Sequence, residues 1–102
     1  MSIRKHISPD RKTTTLTIDG RFDFSVEREF RESFTQHEEP NALYRVDLSS
    51  ASYMDSAALG MLMILKRHAD KTSSKVVLCR PSDSVAKVLA IAKFDKLFTT
   101  ER

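Results

Sequence analysis

The chain is poor in the residues that punctuate or cross-link a fold. Its 102 residues include two glycines, three prolines, one cysteine and no tryptophan. So little glycine and proline excludes a collagen-like repeat and a linker-type chain. A lone Cys79 excludes an internal disulfide framework, and His6, His37 and His68 are too scattered to make a metal signature. No apolar run approaches the roughly 20 residues that a membrane-spanning helix needs. The longest runs from Met61 to Leu65. No basic–apolar–small leader is read at the start, so a reducing cytoplasm is expected. An excess of one charge is also lacking: 17 Lys+Arg against 14 Asp+Glu leaves +3. The basic residues are interleaved with acids such as Glu27, Glu29 and Glu32, where nucleic-acid binding calls for a concentrated stripe. There is no Gly-x-Ser-x-Gly elbow and no glycine-rich phosphate loop. An enzyme, a cofactor, a metal, a nucleic-acid partner and a membrane partner are therefore not expected.

What is present is the mixture of a globular domain, 40% apolar and 30% charged. One domain over 1–102 is expected. Residues 3–7 read as a short strand with Ile3 and Ile7 on one face, and Ser8-Pro9-Asp10 turns the chain. Residues 13–18 are β-branched and alternate, and Gly20 ends that strand. A helix is expected from near Ser25, with Val26, Phe30 and Phe34 in one stripe, closing at Glu38-Glu39-Pro40. Residues 43–48 read as a buried strand, 49–54 as a loop and 55–69 as a second helix. Val76, Val77, Leu78 and Cys79 make a central strand. Pro81-Ser82 then opens a third helix carrying Val85, Val88, Leu89 and Ala92, and Phe94, Leu97 and Phe98 anchor the end. The order β-β-α-β-α-β-α-(β) implies an α/β fold, a mixed, partly parallel sheet of four to five strands with helices packed on it.

The informative stretch is 46–60. A buried strand leads through a short loop to Asp55-Ser56, and a strongly apolar helix follows at once. Asp55 is a good N-cap, since its carboxylate can accept the orphan N–H groups of the first turn. Ser56 then falls on the first helical position, where a side chain tends to be exposed. A phosphate there would meet free N–H groups and the positive helix end. An Asp-Ser pair before an apolar run is also a common helix start, and physics alone does not choose between capping and modification.

The same segment resembles the signature of STAS domains, the family of anti-sigma factor antagonists. The matching residues are Asp47-Leu48-Ser49 and Met54-Asp55-Ser56-Ala57-Ala58-Leu59-Gly60. Ile18-Asp19-Gly20-Arg21-Phe22-Asp23 resembles the family's Gly-x-hydrophobic-Asp turn, and 88–98 resembles its closing helix and Leu-Phe strand. The resemblance spans nearly the whole chain and implies a single STAS-like domain. It implies that Ser56 is phosphorylated by a serine kinase that is also an anti-sigma factor. A serine phosphatase would restore the protein, with a response-regulator receiver domain on that phosphatase as one option. It passes partner recognition to Asp23 and the acidic cap position to Asp55. The implied function is an anti-sigma factor antagonist, binding the kinase when unphosphorylated so that a sigma factor is released. The alternative is a STAS adaptor in another bacterial signalling branch. Ala58 stands where many members have Gly, and the +3 charge is less usual than an acidic balance.

The second helix is apolar almost all round. Its surplus, with Ala57 and Met61 beside Ser56, is either core under a neighbouring helix or a partner surface. Cys79 reads as a small core residue, and His68 as solvent-facing or complementing the helix C-terminus. Phe22, Phe24, Phe30 and Phe34 read mainly as core, with exposure of Phe22 or Phe24, which flank Asp23, as the alternative.

Overall fold

The structure, a computed structural model, describes residues 3–101. Strands β1 (Ile3–Ile7), β2 (Thr13–Ile18), β4 (Leu43–Asp47), β6 (Lys75–Cys79) and β7 (Thr99–Glu101) form one five-stranded sheet in the order β1-β2-β4-β6-β7. β1 lies antiparallel to β2, and the other neighbours are parallel. Two further strands, β3 (Gly20–Phe22) and β5 (Ala51–Met54), make a separate parallel pair. The helices are α1 (Glu27–Glu32), α2 (Ser56–Lys71) and α3 (Asp83–Ile91), and none is long and apolar enough to cross a membrane. The expected class, a mixed and mostly parallel α/β domain, is the observed one.

Alternation along the strands sets the core. Leu16 and Ile18 of β2, Tyr44 and Val46 of β4 and Leu78 of β6 are fully buried on one sheet face. α2 lays Ala58, Met61, Leu62, Leu65 and Ala69 into the same core, and Phe22, Phe30 and Phe34 join it through aromatic contacts. Cys79 is buried, as expected, and burial pushes its thiol pKa up.

Two expectations are corrected. Residues 51–54 form strand β5, because they pair with β3 some thirty residues earlier. The first helix is a 3-10 turn (Phe24–Val26) followed by only six α-helical residues. There the Ser33 hydroxyl donates to the Phe30 carbonyl, which draws the backbone out of the helical pattern. Phe34 still reaches the core from the turns that follow. His68 stands in the last turn of α2, one of the two places expected for it, and is half-buried rather than solvent-facing, with its ring 5.2 Å from that of Phe34 and Nε2 2.7 Å from the His37 carbonyl. Ser82 does stand at the N-cap of α3, but its hydroxyl donates to the Ala51 carbonyl and so ties α3 to β5.

Candidate functional site

The site is built where β3 and β5 end side by side. Arg21 is the Cα partner of Tyr53, and Phe22 of Met54. An aspartate follows each strand at once, in extended conformation, and a helical turn begins after it. Asp55 caps α2: its Oδ1 accepts the Ala58 backbone N–H at 3.2 Å. Asp23 caps the 3-10 turn, its Oδ1 accepting the Ser25 backbone N–H at 3.0 Å and the Ser25 hydroxyl. Asp23 Oδ2 accepts Arg21 Nε at 3.1 Å, and the Arg21 guanidinium lies 3.9 Å from the centre of the Tyr53 ring. The Ser25 hydroxyl, the Ser25 N–H and then Arg21 hold the Asp23 carboxyl below the usual carboxylate range. Gly20, the first residue of β3, has φ +81, a backbone setting in which an L side chain is strained.

Ser56 is the first residue of α2 and is exposed. The helix end next to it carries the orphan N–H groups and the positive pole of the dipole. An added phosphate would therefore be accommodated by groups already in place. The Asp47-Leu48-Ser49 stretch does a different job. Asp47 Oδ1 accepts the Ser49 N–H at 3.0 Å and the Ser49 hydroxyl at 2.8 Å, and Oδ2 accepts from Arg80. Burial pushes the Asp47 carboxyl up, but these donors outweigh it and the net shift is downward. That turn directs the chain out of β4 toward β5.

Of the residues singled out in the sequence, Asp23, Asp55 and Ser56 come together at the paired strand ends, and Ala57 is half-buried next to them. Met61 does not belong with them. It is 4% exposed and packs in the core, because one helical turn beyond Ala58 points to the sheet. The outward stripe of α2 is Ser56, Gly60 and Ile64 instead. Leu59 and Met63 lean against the core, so most of the helix's apolar surplus is core. The four phenylalanines read mainly as core, and Phe22, Phe30 and Phe34 are core, but Phe24 is 74% exposed. Sequence reasoning did not find Tyr53, whose segment it read as loop. No three or more His, Cys, Asp or Glu side chains gather as a metal site among the described residues.

The family model for the STAS domain matches residues 3–102. This chain belongs to the STAS family. A STAS-domain containing protein of Pseudomonas aeruginosa (strain UCBPP-PA14) is 40% identical to it over 98 residues, covering 96% of this chain and 97% of that protein. The STAS fold is shared with an anti-sigma-factor antagonist (STAS) domain protein from Planctomyces limnophilus (TM-score 0.82, 17% identity, 97% of this chain and 88% of that one). It is shared with the anti-sigma factor antagonist SpoIIAA in its unphosphorylated form (TM-score 0.73, 14% identity, 98% and 86%). A sulfate transporter family protein from Wolinella succinogenes carries it too (TM-score 0.79, 17% identity, 95% and 80%). The fold thus serves more than one setting, and the argument for function has to come from the site.

Proposed function

We propose that this STAS domain is an anti-sigma factor antagonist switched by phosphorylation of Ser56. The observation that carries the reading is the placement of Ser56: exposed, on the first turn of α2, directly after the Asp55 cap and within the STAS-like motif. In the unphosphorylated form the surface around Ser56 binds a serine kinase that is also an anti-sigma factor, and the sigma factor is released. The kinase then turns the switch off. Ser56 Oγ attacks the γ-phosphorus of a nucleoside triphosphate held by the kinase. The new O–P bond forms as the β–γ bridging bond breaks, the diphosphate leaves, and the hydroxyl proton passes to a base on the kinase. A serine phosphatase resets the protein. Both partners and the domain meet in the cytoplasm.

The switch works through charge. Phosphate adds about −1.5 to −2 at pH 7 beside Asp55 and Asp23. A partner docking there has to bury a dianion, which is costly unless it supplies Arg or Lys. A loss of one or more decades in affinity needs only about 1.4 kcal/mol per decade. The test is the intact mass of the protein purified from its own cells. A phosphate mapped to Ser56, removed by phosphatase and missing from Ser56→Ala, is the expected result. Ser56→Ala that still takes up phosphate overturns the assignment.

A further inference from the structure

The two capped turns present different chemistry at equivalent places. Past the Asp55 cap stands a hydroxyl. Past the Asp23 cap stands the Phe24 ring, left 74% exposed although Phe22, Phe30 and Phe34 around it are all at 1% or less. The Asp23 carboxylate is already engaged within the chain, by Ser25 on one oxygen and Arg21 on the other. Arg21 in turn rests on the ring of Tyr53, itself 37% exposed. The Asp23–Arg21–Tyr53 chain therefore fixes the turn that displays Phe24. Parallel neighbouring strands run about 5 Å apart, and β3 and β5 deliver Phe24 and Ser56 from adjacent ends. Phe24 and Ser56 thus stand two residues beyond a register pair, at the same end of the β3–β5 pair.

We infer that Phe24 is the apolar anchor by which the kinase of Ser56 docks, and that Asp23 is a positioning residue acting through it. The inference rests on the reading of Ser56 as the phosphate acceptor. The kinase is expected to offer an apolar pocket beside its nucleotide site, with an acidic group toward Arg21, whose side chain is 62% exposed. Buried aromatic anchors flanked by arginine are where binding energy concentrates at interfaces.

The experiment follows labelled phosphate from ATP into purified, phosphatase-treated full chain in an extract of its own cells, with Ser56→Ala as the blank. At low protein concentration the initial rate reports kcat/KM. Phe24→Ala should be labelled about thirtyfold more slowly or worse, the loss typical of a hot-spot contact, and Phe24→Leu should recover most of the rate. Ile91→Ala, which removes an equally exposed apolar side chain from α3, should be labelled like the wild type. Asp23→Ala should be slow and Asp23→Asn intermediate, because Asn keeps the oxygen that caps Ser25 but loses the one that holds Arg21. Equal labelling of Phe24→Ala and wild type overturns the anchor while leaving the Ser56 reading intact. An Asp23→Asn as slow as Asp23→Ala overturns the positioning role. Wild type labelled no faster than Ser56→Ala overturns the underlying reading, and the anchor with it.

Discussion

The two ends of α2, about 18 Å apart from Ser56 to His68 at 1.5 Å per residue, carry polar groups under opposite regimes. At the first end the polar side chains are exposed or half-exposed, and the carboxylates cap turns, Asp23 also pairing with Arg21. At the second end polar groups close the fold. The Tyr44 hydroxyl donates to the His37 carbonyl at 3.0 Å, and the same carbonyl accepts from His68 Nε2. Tyr44 is fully buried, with the His37 ring 5.7 Å and the His68 ring 6.0 Å away. Ala42 and Ser74 are hydrogen-bonded nearby, both buried. One end can change charge without repacking, and the other cannot. A switch built on modification belongs at the first.

The largest expected effect tests that contrast directly. Tyr44→Ala removes a fully buried ring and should destabilise the domain by about 3–5 kcal/mol. Ser56→Ala should stay within about 0.5 kcal/mol of wild type, as exposed positions do. Paired denaturant titrations decide. Similar losses in both variants would erase the distinction between the two ends.

The sequence exposed the first end better than the second. Asp55 and Ser56 are local signals, a cap and an exposed hydroxyl on the first helical turn, and a cap needs only its own turn. The central strands were legible because β-branched and apolar runs are buried on a sheet face. β5 was not, because Ala51 and Met54 are buried while Ser52 and Tyr53 are exposed, a pattern without a period of two. Only pairing with β3 makes it a strand. Met61 failed as a partner residue because a helix apolar on every side does not say which face meets the sheet. His68 does stand in the last turn of α2, but its partner is a backbone carbonyl 31 residues away, and no local pattern reports that.

A smaller effect sharpens the comparison from the packed end. Burial first, then the positive charges of Arg11 and Lys5, hold the His37 pKa below its ordinary value. Its Nε2 is buried with no hydrogen-bond partner among the described residues. The folded state therefore binds this proton less readily than the unfolded chain. Stability should be at its full value above the unfolded pKa of about 6.5. It should decline as pH falls below that, toward the folded pKa, with a slope that one proton limits to about 1.4 kcal/mol per pH unit. Denaturant midpoints between pH 7.5 and 5 should show the decline in wild type and flatten in His37→Gln, which keeps the backbone carbonyl that Tyr44 and His68 use. Loss of the Asp47 carboxylate's stabilising contacts enters only at lower pH, since that pKa is depressed below the carboxylate range. An unchanged slope in His37→Gln would show that the packed end does not respond to protons through this ring.

The smallest expected effect is the absence of any response at the packed end when the first end is phosphorylated. A phosphate on Ser56 would stand at a helix N-terminus, where first-turn N–H groups and the dipole favour an anion, so it should stabilise the turn that exists. Repulsion from Asp55 and Asp23 acts across exposed side chains, where water and salt screen charges beyond roughly 10 Å. The sheet lies under fully buried, packed side chains. Amide NMR spectra with and without phosphate should therefore differ at Asp23 to Ser25 and around Asp55 to Leu59. Tyr44, His68 and the β6 residues Val76 to Cys79 should stay in place. Shifts that spread into β6 and α3 would mean that the domain changes shape. Partner release would then follow from that change, and the surface-charge account of the switch would have to be abandoned.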